Sequence, residues 1–172
     1  MFTKLALLIG CAVSFPEAID STTCNVYSEL ESFAPCESSG YALNYGLPNC
    51  EAFTAKKWLY TTSGKIFLDC TRNCLADFIR TQIIAKGVSD CATIQSSAFD
   101  SHVPCYVDCG FCEVFPPNVI PFALTYRLSD FLSAQALKQV SQITSSCVSS
   151  PSSVIGPLVK IYGFTPLQIK PF

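Results

Sequence analysis

Eleven cysteines in 172 residues constrain the fold of this chain more than any other feature of its sequence. They make up about 6% of the residues, several times the ordinary usage. A chain of this length forms one domain of ordinary size with a core of its own, and disulfides would add to the stability of that core. Because eleven is odd, one cysteine must be removed or pair outside the chain.

The first fourteen residues account for the odd cysteine. Residues 1–4 carry a positive charge, residues 5–13 are apolar, and residues 12–14 are the small residues that a signal peptidase reads. We therefore predict a signal peptide over residues 1–14, with cleavage near Ser14, and a secreted, extracellular protein; a buried N-terminal helix is the disfavoured alternative. Removal of Cys11 leaves ten cysteines, an even number, on a route through an oxidising compartment.

Charge and hydropathy exclude several classes of protein. The 11 basic and 13 acidic residues give a formal net charge of −2 without a block of like charges, so we expect no nucleic-acid partner. With 49% hydrophobic residues the chain is not of the disordered class. No apolar run reaches the roughly 18 residues of a spanning helix, so we expect no membrane span after signal removal.

The spacing of apolar residues predicts the first helices. Residues 22–47 show no sustained period and are predicted as a loop or short helical turns held by crosslinks. We expect the first helix to begin at Pro48 with Asn49 as its N-cap, and to be broken at Ser63 and Gly64. The second helix, from Lys65 to near Gly87, has apolar residues at three- and four-residue steps: Phe67, Cys70, Thr71, Cys74, Leu75, Phe78, Ile79 and Ile83.

The second half of the chain predicts two more helices. Residues 90–112 form the third segment, and prolines at 116 and 117 followed by Asn118 are expected to interrupt the chain. A fourth helix is expected from Pro121 to Cys147. Prolines in residues 151–172 predict an irregular C-terminal tail. The fold class is thus all-α, a compact disulfide-crosslinked domain of about four helices over residues 15–150. The predicted apolar stripe of the fourth helix comprises Leu124, Leu128, Leu132, Ala136, Val140, Ile143 and Cys147.

Two cysteine pairs with helical spacing restrict the disulfide pattern. Cys70 and Cys74 lie four residues apart, as do Cys105 and Cys109, so each pair occupies one face of its helix. Antiparallel packing of the two helices would join Cys74 to Cys105 and Cys70 to Cys109, and parallel packing would reverse the choice. Cys112 lies one turn further on, free to reach the fourth helix.

Redox and metal chemistry are weaker interpretations of the same cysteines. Cys109 and Cys112 have the spacing of a thioredoxin-like pair, but that motif follows a strand in a βαβ setting. A zinc site built from Cys70, Cys74, Cys105 and Cys109 would need thiolates that survive secretion. We therefore predict that all ten cysteines form disulfides.

Enzymatic patterns are sparse. His102, the single histidine, would have to serve any imidazole-dependent mechanism, and its polar surroundings beside Pro104 favour a surface position. No phosphate-binding glycine loop or calcium-binding loop occurs. We predict no catalytic residue, no cofactor and no metal site. The five aspartates of the middle segments are expected to be a solvated set: Asp69, Asp77, Asp90, Asp100 and Asp108.

The cysteine intervals resemble those of the stanniocalcins, secreted disulfide-rich hormones. Five intervals are similar: Cys50 to Gly64, Gly64 to Cys74, Cys91 to Cys105-Tyr106, Cys105 to Cys112, and Cys112 to Cys147. The interval from Cys74 to Cys91 differs by a residue. The resemblance covers residues 36–147, and outside the cysteines and the Gly64-Lys65-Phe67 stretch identity is low.

The resemblance implies an all-helical fold and four of the disulfides: Cys24–Cys50, Cys36–Cys91, Cys74–Cys105 and Cys112–Cys147. Cys70 and Cys109 are absent from the family pattern, and they are the two that antiparallel packing brings together. The family's N-terminal disulfide and N-glycosylation site are missing. No cysteine follows Cys147, so a homodimer would be noncovalent.

The resemblance also implies a function. It indicates a secreted, non-enzymatic, hormone-like regulatory protein that binds an extracellular receptor or protease, as in calcium and phosphate homeostasis or metalloproteinase inhibition. The alternatives are a structural or storage component of the extracellular matrix or secretory granule and, less favoured, a small secreted hydrolase using His102.

Overall fold

The computed structural model describes residues 21–126 and 134–149, and these residues form six α-helices without a strand. The predicted signal peptide with Cys11 and the predicted tail over 151–172 lie outside them. Short 3₁₀ turns and two π-helical segments join some of the helices. The helices are α1 (Asn25–Phe33), α2 (Leu47–Lys56), α3 (Thr62–Phe78), α4 (Cys91–Asp108), α5 (Phe111–Thr125) and α6 (Ala134–Ser149).

Helix α1 lies in the segment predicted as loop or short turns, and that prediction was wrong for residues 25–33. The segment is short, and only Val26, Tyr27 and Leu30 face the core. A helix of nine residues is marginal alone, and burial of that apolar face stabilises this one. Cys24 and Cys36 flank it, each in a disulfide to another helix.

Helix α2 begins at Leu47, directly after a π-helical segment over Ala42–Gly46, and ends at Lys56. Pro48 occupies the first turn, where its missing N–H costs nothing. Asn49 is not the N-cap: it is buried, and its amide donates to the Tyr45 carbonyl oxygen at 3.0 Å. The predicted cap failed because the chain is already helical before Pro48.

The break between α2 and α3 lies at Tyr60 and Thr61 rather than at Gly64. Tyr60 is extended, and the Thr61 hydroxyl caps α3 by accepting the Gly64 N–H at 3.1 Å. Gly64 lies inside the helix, where an added Cβ would come within 2.7 Å of the Asn118 side-chain oxygen. After Phe78, α3 continues as a π-helical segment over Ile79–Ile84, so helical structure reaches the predicted region of Gly87.

Helix α5 runs through the prolines that were expected to interrupt the chain. Pro116, Pro117 and Pro121 all lie inside it. The middle of the helix is anchored by Asn118, which is fully buried, accepts the Thr61 N–H at 2.8 Å, and donates to the Val114 carbonyl one turn earlier at 2.7 Å. The local rule that proline ends a helix was therefore overridden.

The predicted fourth helix is divided in the structure. Thr125 ends α5, and Tyr126 is extended. Helix α6 begins at Ala134. Residues 127–133 lie outside the part of the chain that the structure describes. The predicted apolar stripe is not one buried face, because Leu124 and Val140 are exposed whereas Ile143 and Cys147 are buried.

Two hydrophobic cores lie in different parts of the described molecule. The aliphatic core joins α1 and the π-helical segments to the end of α3 and the start of α4. The aromatic core joins the start of α3 and the end of α4 to α5 and α6. The main aliphatic residues are Val26, Leu30, Ile79, Ile83 and Ile94; the main rings of the aromatic core are Phe53, Phe67 and Phe122, with Phe111 and Phe115 at its edge.

Five disulfides connect these elements, and they pair the ten cysteines as Cys24–Cys50, Cys36–Cys91, Cys70–Cys109, Cys74–Cys105 and Cys112–Cys147. Two of them join α3 to α4, whose antiparallel packing makes both pairs possible. We call Cys74–Cys105 the inner rung, because Cys105 is buried, and Cys70–Cys109 the outer rung, because Cys70 is exposed.

Candidate functional site

The cysteine cluster on α3 and α4 carries crosslinks rather than free thiols. Cys109 and Cys112, which have the spacing of a redox pair, bond to different partners on different helices. The four cysteines considered for zinc are consumed by the two rungs. Among the described residues, no three His, Cys, Asp or Glu side chains are grouped to hold a metal ion. This cluster is therefore a structural element.

His102 is buried, so the predicted surface position was wrong. Its ring stacks on Phe99 with a centroid separation of 5.8 Å and lies 6.0 Å from both Tyr45 and Tyr106. Its Nδ1 lies 2.8 Å from the Ala98 carbonyl oxygen. Burial lowers the pKa of His102 to about 4, although the hydrogen bonds to the Ala98 and Phe99 carbonyls oppose that shift. The imidazole is therefore uncharged at neutral pH.

The sequence did contain a signal for this burial. Ile94 and Ala98 precede His102 at four-residue steps, which puts all three on one helical face. The first two are buried, and the third follows them into the core. The polar composition of the surrounding segment hid this period.

The acidic residues act locally and do not form a shared site. Asp69 is half-buried and receives Lys57 Nζ at 2.5 and 2.6 Å, so it departs from the predicted solvated set. Asp90 caps α4 by accepting the Thr93 N–H and hydroxyl, which lowers the pKa of its carboxyl. The remaining three are exposed, as predicted: Asp77, Asp100 and Asp108.

A group of buried tyrosines and one arginine lies beside His102. Burial raises the pKa of Tyr27 to about 12 and that of Tyr41 well above its ordinary value. Arg72 is buried against Cys24, with Nη2 3.7 Å from the sulfur. Burial lowers its pKa, and Asp69 opposes that shift. These groups lie in the interior and offer no accessible acid or base at neutral pH.

Four large apolar side chains are exposed on three segments that hydrogen bonds join to one another. Trp58 follows α2 and is 73% exposed, and Ile66 on α3 is 66% exposed; Ile120 and Leu124 are exposed on α5. We call these four residues the apolar end. The sequence patterns marked only Leu124, as part of an apolar stripe, because periodicity marks an apolar residue without showing whether a neighbour covers it.

Hydrogen bonds hold the three segments of the apolar end together. Lys56 Nζ donates to the Leu124 carbonyl oxygen at 2.6 Å, which fixes the end of α5 against the end of α2. Asn118 accepts the Thr61 N–H and donates to the Thr61 hydroxyl, which fixes α5 against the start of α3. Exposed apolar side chains on such a fixed frame are typical of protein-binding surfaces.

Comparison with known proteins gives one match. A family model described as the Stanniocalcin family matches residues 6–160. No curated protein and no solved structure matches the chain. None of the described helices combines the length and apolar composition needed to cross a bilayer.

Proposed function

Because the chain belongs to the stanniocalcin family, we propose that it is a secreted, non-enzymatic regulatory protein that acts by binding an extracellular receptor or protease. The observation that carries this proposal beyond the family match is the apolar end. Trp58 is large and largely exposed, and tryptophan is among the residues that contribute most to protein interfaces. Leaving such surface in water is unfavourable, so burial against a partner would be favourable.

Secretion is part of the proposal. Residues 1–14 are proposed as the signal peptide, residues 15–150 as the folded domain and residues 151–172 as a proline-rich tail. Disulfides persist in oxidising compartments, and the five disulfides suit an extracellular protein. All ten described cysteines are paired within the chain, so none of them is free to link two copies of the protein.

Two roles follow from the family resemblance. One is inhibition of pappalysin metalloproteinases and the other is control of calcium and phosphate handling. Both require binding to another protein and neither requires a catalytic group. The buried, uncharged His102 supports a non-enzymatic role, because it has no acidic partner among the groups that shift its pKa.

The test compares two surface variants of the full secreted chain. Trp58→Asp introduces a charge into the apolar end, and Leu137→Asp introduces the same charge at an exposed apolar residue on α6. We expect Trp58→Asp to abolish saturable binding to cells or to a pappalysin, and to abolish inhibition of that protease. Leu137→Asp should bind like the wild type.

Three outcomes would count against the proposal. Equal binding by both variants would remove the apolar end from the interface. Self-association without saturable partner binding would favour the structural or storage role. A hydrolytic activity lost in His102→Ala, in a variant that keeps its five disulfides, would favour the hydrolase.

A further inference from the structure

A cavity of about 370 Å³ lies between α4, α5 and α6, and its described lining residues do not include the four residues of the apolar end. Its buried side is formed by His102, Tyr106, Phe122 and Ile143. Val119 and Val140 line it too and are about half exposed, so they mark its open side. The cavity is therefore accessible from solvent.

The size of this cavity indicates a small molecule rather than water. Protein interiors are close-packed, and voids larger than a water molecule are few. Small-molecule sites occupy roughly 300–1,000 Å³, and this cavity lies within that range. An occupant about the size of two fused rings, with a third ring or a short chain, would fill it.

The lining selects against charge. Its described lining residues contribute aromatic rings, aliphatic side chains and a few hydroxyl and amide groups, and none of them is a lysine, arginine, aspartate or glutamate. A charged ligand would lose its hydration here without gaining an ion pair, which is strongly unfavourable. An uncharged apolar ligand would bury its surface without that cost.

Polar atoms on the buried side would orient the ligand. A carbonyl oxygen can only accept a hydrogen bond, so the contact between His102 Nδ1 and the Ala98 carbonyl places the proton of the neutral ring on Nδ1. His102 Nε2 is then an acceptor. The hydroxyls of Tyr106 and Tyr126 are already hydrogen-bonded to each other. A ligand hydroxyl can therefore donate to His102, and Gln139, whose amide N–H donates to the Phe99 carbonyl, offers a second acceptor oxygen.

We propose that this cavity binds an uncharged, largely apolar small molecule that carries one hydroxyl group, with the hydroxyl directed at His102. The site is separate from the proposed partner-binding surface, since its lining contains neither Trp58 nor Ile66. The proposal of a small-molecule site therefore does not depend on whether the apolar end binds a partner.

Two fluorescent probes of matched shape test the charge selectivity with the full secreted chain. N-phenyl-1-naphthylamine is uncharged, and 8-anilinonaphthalene-1-sulfonate has the same rings with one sulfonate. We expect saturable fluorescence enhancement with the uncharged probe and binding at least about tenfold weaker for the sulfonate. No saturable binding, or equal binding of the two probes, would overturn the proposal.

Two variants on α6 locate the site. Val140 and Leu137 are similarly exposed, at 44% and 39%, but only Val140 lines the cavity. Val140→Asp should weaken binding of N-phenyl-1-naphthylamine about tenfold, because the carboxylate would be desolvated by the probe, whereas Leu137→Asp should leave it unchanged. Equal effects would place the probe elsewhere and overturn the assignment.

A competition experiment tests whether the ligand needs a hydroxyl group. Sedimentation tests whether a second copy of the chain, rather than a small molecule, fills the cavity. 2-Naphthol donates a hydrogen bond and 2-methoxynaphthalene does not, so the naphthol should displace the probe at a concentration about two- to tenfold lower. Equal potency would overturn the role of His102. If the probe bound only when an oligomer of this chain dissociated, a second copy of the chain would be what fills the cavity. The proposal would then be wrong.

Discussion

The aliphatic core and the aromatic core fill the space between helices with different side chains. In the aliphatic core, branched residues such as Val26, Leu30 and Ile83 are almost completely buried. In the aromatic core, Phe67 and Phe122 meet at steep angles, with ring planes 73° apart. The aliphatic core contains rings too, among them Tyr41 and Phe99, whose planes meet at 72°, so edge-to-face ring contacts alone do not distinguish the two cores. The 370 Å³ cavity lies beside the aromatic core.

The two cores also differ in how they reach the surface. The exposed apolar side chains at the apolar end and at the cavity mouth belong mostly to α5 and to the segments that contact it. The aliphatic core is instead enclosed by α1, α2 and α4. One half of the described molecule is therefore largely enclosed, and the other carries most of the exposed large apolar side chains and the cavity.

The largest expected effect concerns the disulfide that closes the aliphatic half. Cys36 and Cys91 are 55 residues apart along the chain. Even through the Cys74–Cys105 disulfide the covalent path between them is roughly fifty residues long, so the Cys36–Cys91 bond closes a long loop. The outer rung, Cys70–Cys109, closes only a short loop, because the inner rung already joins the two helices four residues away on each side. Replacing Cys36 and Cys91 by alanine should cost about 4 kcal/mol, and replacing the outer rung about 2–3 kcal/mol.

Guanidinium unfolding of the two double variants, with the remaining disulfides verified by peptide mapping, measures this difference. A larger loss for the outer rung would mean that the helix pair, rather than the aliphatic half, depends most on its crosslinks.

A second prediction compares packing in the two cores directly. Ile83 is fully buried in the aliphatic core, and Ile143 is buried in the aromatic core but lines the cavity. Ile83→Ala should lower the free energy of unfolding by about 3–4 kcal/mol, near the middle of the range for such truncations. Ile143→Ala should cost about 2 kcal/mol, because fewer packing contacts are lost beside a space that is already empty.

Urea unfolding of both variants at one pH gives the two values. Equal losses would show that the aromatic half is packed as tightly as the aliphatic half, which would contradict the comparison.

The smallest of the three effects concerns His102, where the two cores meet. The folded-state pKa is about 4 and the ordinary value is 6.5. Between these two values His102 is protonated in the unfolded chain and neutral in the folded chain. The stability that neutral His102 allows is therefore complete above pH 6.5 and is lost as the pH falls towards 4. The loss should be roughly 2–3 kcal/mol.

Unfolding free energies at pH 7.5 and 4.5, measured for the wild type and for His102→Gln, isolate this contribution by difference. The wild type should lose more stability than the variant over that interval. An identical loss would mean that folding does not lower the pKa of His102.

Several elements could be predicted from the sequence because their signals are local. The period through Phe67, Leu75 and Ile83 indicated α3, and the two four-residue cysteine spacings restricted the rungs to two arrangements. Asp90 and Gly110 have residue types that favour a helix start and a helix end, but the predicted third segment ran through Gly110 to Cys112, and the structure divides it there between α4 and α5.

The elements that were missed depend on partners far away in the chain. Helix α5 contains three prolines, and buried Asn118 anchors it by bonding to Thr61, 57 residues earlier. Helix α1 is too short to be stable without the core it covers. The burial of His102 depends on rings that include Tyr45, which its own polar segment does not reveal.

By itself the sequence determined the helical class, the cysteine content that five disulfides require, and the resemblance to a secreted family. These follow from residue type and spacing, which act over one or two helical turns. Only the tertiary structure decided that α3 and α4 pack antiparallel, that His102 is buried and uncharged, and that Trp58 is left in water. The reason is physical: burial is set by which distant side chains arrive at a position, and no local pattern specifies them.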